Sequence, residues 1–281
     1  MSIPRPLARH AATRYVQPLR EGGSLPAVVD TAAGGLFVVK FRGAGQGAKA
    51  LIAELVVGQL AQALGLPVPE LTIVELSAAF GRSEPDPEIQ DILRASQGVN
   101  VGLRYLDSAF NFDPNAAGDL VPVGLATRLV WFDALVTNPD RSHRNPNLLV
   151  WHRRLWLIDH GGALYAHHDW ATVDEARTRT SFPRIREHVL LDRAGDLAAI
   201  DAELAATLTP EVIARTLAQV PDELLTDPVT APEFATADAA RTRYREYLGT
   251  RLRAPRDFVG EAVRAQERLR RERPRPLSAR R

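Results

Sequence analysis

Two short apolar runs, Leu148 to Trp151 and Leu155 to Ile158, flank three polar residues, and no other feature constrains the fold as tightly. Apolar strands joined by a tight polar loop fold back on themselves as a β-hairpin. The spacing predicts Leu148 opposite Ile158 and Trp151 opposite Leu155. Closing the hairpin carries whatever precedes Leu148 to the side of whatever follows Ile158. Before it stands Asn138-Pro139-Asp140-Arg141-Ser142-His143-Arg144-Asn145-Pro146-Asn147, and after it stand Asp159, His160, Gly161 and Gly162. Asp140, Asn145 and Asp159 are therefore expected in one small polar volume, where the two glycines permit close backbone approach.

Such a set has a chemical use. A carboxylate placed for a hydroxyl proton, an amide five residues on and a second carboxylate after a hairpin are the parts phosphoryl transfer needs. Mg²⁺ takes hard oxygen ligands and keeps part of its water, so Asp159 and Asn145 are the candidate metal ligands. Asp140 is the candidate to accept or orient the attacking hydroxyl. Taken singly, Asn138-Pro139-Asp140 and Asn145-Pro146-Asn147 also read as simple turns. Their convergence with Asp159 at one hairpin mouth favours the functional reading.

Of 35 basic residues only Lys40 and Lys49 are lysine, and the rest are arginine. Lys40 ends Gly34-Gly-Leu-Phe-Val-Val39, a turn followed by a buried strand. A compact ammonium suits a single phosphate oxygen in a pocket better than the wider guanidinium fork. A charge at a half-buried strand also wants a partner. The helical segment Ala48 to Leu64 carries the apolar stripe Leu51, Leu55, Val56, Leu60 and Ala63, stops at Gly65 and Pro67, and holds one acid, Glu54. The alternative for Lys40 is a snorkelling strand-end lysine. Upstream, Gly22-Gly23-Ser24 opens a glycine turn into a β-branched strand, and with Leu36 to Phe41 this is expected to form a hairpin whose edge N–H groups cover phosphates. Alone it is a common turn. It is no Walker motif, and the chain contains no G-x-G-x-x-G.

The order of glycine-rich hairpin, strand lysine, helix glutamate, Asp-x-x-x-x-Asn loop and late aspartate resembles the protein-kinase-like fold. The local wording resembles the HipA-like kinases, especially their short bacterial relatives. The matching pieces are Gly22-Gly23-Ser24-Leu-Pro26, Val38-Val-Lys40-Phe, Leu51-Ile-Ala-Glu54-Leu, Leu64-Gly-Leu-Pro-Val-Pro69, Asp133-Ala-Leu-Val-Thr-Asn138-Pro-Asp-Arg141, Arg144-Asn-Pro-Asn-Leu148 and Ile158-Asp-His-Gly161. They cover roughly residues 15 to 165. The resemblance implies an α+β, bilobal fold with a small β-rich N-lobe carrying one helix (1–108) and a larger helical C-lobe (109–267); the arginine-rich end with its two prolines (268–281) is expected from its composition to be a disordered tail. It implies ATP phosphates on Lys40, with Glu54 as its partner and Gly22, Gly23 and Ser24 above them. Asp140 becomes the catalytic carboxylate, and Asn145 and Asp159 bind Mg²⁺. The implied acceptor is a serine or threonine of a protein, a translation-related enzyme among the candidates. The family's habits extend to self-phosphorylation, here at Ser24, and to an antitoxin-like partner. Ser24 also reads as a plain turn stabiliser. The chain lacks the His-Arg-Asp and Asp-Phe-Gly triplets of ordinary protein kinases, with Pro139 before the catalytic Asp and His160 after the metal Asp.

Composition sets limits without choosing among chemistries. A net charge of +1 gives no general pull toward nucleic acid or membrane, and the absence of cysteine excludes disulfides and thiolate metal sites. The start lacks the apolar core of a signal peptide, and no apolar stretch is long enough to span a bilayer, so a cytoplasmic enzyme is expected. Leu71 to Leu76 reads as a strand, Ser77 to Asp91 as a surface loop, Val99 to Leu106 as a strand and Val123 to Val136 as a helix. Beyond Tyr165 the chain reads as helical, with Thr209 capping a helix that begins at Pro210. Asp133, one turn before the catalytic loop, is expected to hold that loop's N–H groups. Competing functions are a small-molecule or lipid-headgroup kinase, a nucleotide-binding pseudokinase, and a metal hydrolase built on His160, His167, His168 and Asp169.

Overall fold

The computed structural model describes residues 6–19, 25–32, 34–45, 47–82, 84–116 and 118–272. In chain order the elements are β1 (Ala8–Pro18), β2 (Ala27–Thr31), β3 (Leu36–Lys40), α1 (Gly47–Ala63), β4 (Leu71–Leu76), α2 (Pro87–Ala95), β5 (Gly98–Arg104) and β6 (Phe110–Asn111). There follow α3 (Val123–Leu135), β7 (Leu148–Trp151), β8 (Arg154–Leu157), α4 (Glu175–Thr178), α5 (Leu197–Thr207), α6 (Pro210–Ala218), α7 (Asp222–Leu225), α8 (Ala237–Leu252) and α9 (Asp257–Glu272).

The first five long strands close into a barrel in the order β1-β2-β3-β5-β4, with β4 returning to lie parallel to β1. Because successive strand residues point to opposite faces, each strand serves two environments. Ala27, Val29, Phe37, Val39, Val74 and Leu76 fill the barrel, while Leu71, Ile73, Val101 and Leu103 back onto α1. The fold is mixed α and β, and no described helix is long and apolar enough to cross a membrane.

α1 forms within a residue of its expected bounds but is buried all round, not only along the expected stripe. The barrel covers one side of it and α6 and α7 the other. Gly58 costs this helix about 1 kcal/mol against alanine, yet a Cβ there would stand 2.7 Å from Leu71. The close approach of α1 to β4 is what requires glycine.

Several expectations are corrected. The stretch Ser77 to Asp91 is not all loop, and α1 is not the only helix before Leu106, because α2 starts at Pro87. Asp86 accepts the Glu88 N–H as a cap, Pro87 takes the first helical position, and Ile89 and Leu93 plug the barrel end. The hairpin register is shifted by one: Leu148 faces Leu157 and Trp151 faces Arg154. His152 and Arg153 alone form the turn, both at positive φ (48° and 57°), which is what a two-residue hairpin turn demands. Finally, the segment after Tyr165 proceeds mostly through short 3₁₀ turns until α5, and Arg268 to Glu272 belong to α9.

Candidate active site

Lys40 ends β3, where Val39 points into the barrel and Lys40 points out toward α1. Its Nζ donates to Glu54 Oε2 at 2.8 Å and to Asp159 Oδ1 at 2.5 Å. Glu54 is fully buried, and its Oε2 also accepts the His160 N–H at 2.8 Å. One carboxylate oxygen thus fixes both the lysine and the backbone just after Asp159. Burial would lower the Lys40 pKa, but the carboxylates of Glu54 and Asp159 outweigh it and raise it. Burial likewise pushes the Asp159 carboxyl up, and Lys40 brings it below the ordinary value. Both groups are held charged.

Asp140 follows α3 on a loop tied at several points. Asp133, fully buried near the end of α3, accepts from Asn138 Nδ2 at 3.0 Å, Arg141 Nε at 2.6 Å and His188 Nε2 at 3.0 Å, the last with the ring drawn as donor. Asp133 was expected to hold loop N–H groups: its carboxylate holds side chains instead, while its backbone carbonyl accepts the Asn138 N–H at 2.9 Å. Burial raises its pKa, but the Arg141 charge and the His188 bond carry it down to about 2. Arg141, 1% exposed, further donates to the carbonyls of Asn147 at 2.5 Å and Ile158 at 3.5 Å, and its second terminal nitrogen lies 3.3 Å from His160 Nδ1. This one guanidinium ties α3, the Asp140 loop and the end of β8. Sequence analysis gave it no role, because one arginine among so many carries no compositional signal.

The structure brings Lys40, Glu54 and Asp159 into contact and sets Asp140 beside Gly162, where a Cβ would lie 2.6 Å from Asp140 Oδ2. A side chain at position 162 would therefore have to displace the Asp140 carboxylate. Asn145 is different. It lies exposed in a turn in which its N–H donates to Ser142 Oγ at 3.3 Å and its carbonyl accepts from Ser142 N at 3.0 Å. Asn147, two residues on, donates from Nδ2 to the Asp140 carbonyl at 3.2 Å, and its own carbonyl accepts the Ile158 N–H at 3.1 Å. It therefore sits between Asp140 and the backbone leading into Asp159. Gly22, Gly23 and Ser24 lie outside the described residues; on either side of them the Leu19 N–H donates to the Pro26 carbonyl at 2.7 Å, and β2 pairs with β3 as a hairpin.

Backbone strain collects here. Among the described residues eight non-glycine positions have positive φ, and four of them, Thr137, Asn147, Asp159 and Leu164, bracket this site. Such conformations cost roughly 1–3 kcal/mol each and persist where surrounding bonds over-determine them. His160 is buried and held neutral, its pKa lowered to about 4 by burial above all. His167 is buried against the Tyr244 hydroxyl at 2.9 Å. Among the described residues no group of three or more His, Asp or Glu side chains is arranged to hold a metal. His160 and His167 are interior residues, whereas His168 is exposed.

A family model described as HipA-like kinase matches residues 13–237, about four-fifths of the chain. The chain belongs to the HipA-like kinase family. The matched span of this HipA-like kinase begins in β1, ends at the first residue of α8 and includes every site residue described above. Among solved structures it is similar to the Helicobacter pylori proinflammatory kinase CtkA, with 13% identity, a TM-score of 0.46, and coverage of 94% of this chain and 99% of that one. No curated protein matches it.

Proposed function

We propose that this HipA-like kinase is ATP- and Mg²⁺-dependent and transfers the γ-phosphoryl group to a serine or threonine hydroxyl of a protein. The observation that carries this reading is the contact of Lys40 with both Glu54 and Asp159, next to a loop that presents Asp140. Lys40 offers its ammonium to phosphate oxygen as a point charge, and Glu54 holds it in position. The barrel and the helical part act as two lobes with the nucleotide between them.

The donors suit a hard divalent cation. Asp159 keeps 43% of its side chain exposed, and Lys40 faces two carboxylates with one ammonium. Asp159 and Asn147 would hold Mg²⁺, which when bound would offset the negative charge of the phosphates. Asn147 is preferred to Asn145 because its amide is tied to the Asp140 carbonyl and its backbone to Ile158, while Asn145 faces solvent. Asp140 takes the proton as the acceptor oxygen bonds to the γ-phosphorus, the bond to the bridging oxygen breaks, and ADP leaves.

Labelled ATP tests the reading. Asp140→Asn should retain nucleotide binding and lose transfer to protein by about 10²-fold or more. Asn147→Ala should raise the Mg²⁺ concentration required for half-maximal transfer about tenfold, and Asn145→Ala should change it by no more than about twofold. Near-full transfer by Asp140→Asn would remove the role given to that carboxylate. The reverse order for the two asparagines would return the metal to Asn145.

A further inference from the structure

Beside the catalytic loop lies a pocket of about 380 Å³. One wall is Thr137 and Pro139, immediately before Asp140, and the floor is formed by Tyr247 and Arg251 of α8. Tyr165 and Phe182 add aromatic surface, and Tyr165 is 65% exposed at the rim. Three arginines, Arg177, Arg184 and Arg251, line this space, and no carboxylate does among the described residues. In a chain with 34 acidic residues against 35 basic ones, so one-sided a wall is a local departure.

The three arginines differ in how far they are neutralised. Arg177 lies 3.8 Å from Asp169, and Arg184 lies 3.9 Å from Glu187, in both cases with half-exposed side chains. Arg251 is 4% exposed, and its bonds run to the carbonyls of Ala134, Leu135, Thr178 and Thr180. Those carbonyls satisfy four of the five guanidinium N–H groups and supply dipoles, but no counter-charge. Buried charges are ordinarily paired, and among the described residues Arg251 has no acidic partner. A carboxylate entering the pocket would complete it, with Arg177 and Arg184 at the mouth and flat rings on which a short side chain can lie.

We propose that this pocket binds an aspartate or glutamate side chain close in sequence to the accepted hydroxyl, so that the enzyme selects acidic peptide segments. The assignment rests on the kinase reading for the identity of the acceptor, because Pro139 places the pocket one residue from Asp140 along the chain. It names a class of acceptor and leaves the transfer step unchanged.

The test uses the full chain and fluorescein-labelled peptides that contain one serine flanked by glutamate, glutamine or lysine. Binding is read by anisotropy and transfer by labelled ATP. The glutamate peptide is expected to bind at least tenfold tighter than the glutamine peptide and to be the preferred substrate. Arg184→Gln should weaken the glutamate peptide severalfold and leave the glutamine peptide unchanged, whereas a merely structural defect would weaken both. Equal binding of all three peptides overturns the assignment. So does phosphorylation of a free hydroxy acid with none of any peptide. Acid-selective binding by wild type without transfer leaves the anion preference standing and overturns the serine/threonine kinase reading instead.

Discussion

The two lysines of the chain, Lys40 at the end of β3 and Lys49 in the first turn of α1, each end in a glutamate pair of nearly equal length. Lys40 meets Glu54 at 2.8 Å, and Lys49 meets Glu233 at 2.9 Å. Both lysine side chains are 10% exposed. The surroundings separate them. Lys40 has a second carboxylate, Asp159, and its glutamate is fully buried in the interior. Lys49 has one partner, 29% exposed, on the loop between α7 and α8. That loop also caps α1, since Thr230 Oγ1 accepts the Ala48 N–H at 3.2 Å and Asp227 Oδ1 fixes the Val229 and Thr230 N–H groups. Around Lys40 two carboxylates face one ammonium, whereas the Lys49 pair is balanced. An ion pair's geometry alone does not say which kind it is; the count of charges around it does.

Breaking the support behind Lys40 should have the largest effect. Arg141→Met would leave Asp133 buried without its main counter-charge, and loss of one partner of a buried pair costs roughly 3–5 kcal/mol. Urea unfolding should show it, and a loss below about 1 kcal/mol would mean that His188 and Asn138 suffice to hold Asp133.

Next in size is Lys40→Arg, expected to cut transfer about a hundredfold, close to Lys40→Ala, because a planar fork cannot replace a point contact between two carboxylates. Lys49→Arg should cost less than about threefold in the same kinetics, since that pair asks only for charge. Equal losses at the two positions would dissolve the distinction. Lys49→Met should lower unfolding free energy by no more than about 1 kcal/mol, as expected for a partly exposed pair.

The smallest effect concerns pH. His167 and His168 have lowered pKa values, first through burial and then in part through the Lys49 charge. The folded state therefore resists protonating them while the unfolded chain takes up protons near pH 6.5. Stability from this source is complete above 6.5 and is lost as pH falls toward the lowered folded values. Lys49→Met should make that acid loss shallower in thermal melts taken on either side of pH 6.5. An unchanged slope would show that burial alone sets these histidines.

Sequence order made Lys40, Glu54 and Asp159 legible because each lies on an element with a clear period or punctuation: a strand end, a helix bounded by Gly65 and Pro67, a hairpin exit. Asn147, proposed above in place of Asn145, was not singled out because counting from Asp140 selects Asn145, whereas the tie to the Asp140 carbonyl is set by where β7 begins. The hairpin register slipped because His152 and Arg153 adopt left-handed φ without glycine or asparagine to announce it. α2 was hidden by Pro87, which reads as a breaker but serves as a first helical residue. The Lys49–Glu233 pair and the Thr230 cap join residues 184 and 182 positions apart, and no local pattern encodes such a meeting.

That separation bears on the order in which the molecule can be built. Residues 47 to 63 leave the ribosome long before residues 210 to 233, which supply α6, α7 and the loop over the start of α1. Domains emerge from their N-terminal end at about 5–20 residues per second. For roughly ten seconds or more, then, the barrel and α1 exist with an apolar helix flank uncovered and Lys49 without Glu233. The nascent chain carries Lys40 and Glu54 early, and Asp159 and the His160 N–H, which complete their contacts, follow later but still ahead of α6 and α7. Truncation anywhere before Glu233 accordingly yields an exposed apolar helix flank, and with it a species inclined to aggregate, rather than a smaller working enzyme.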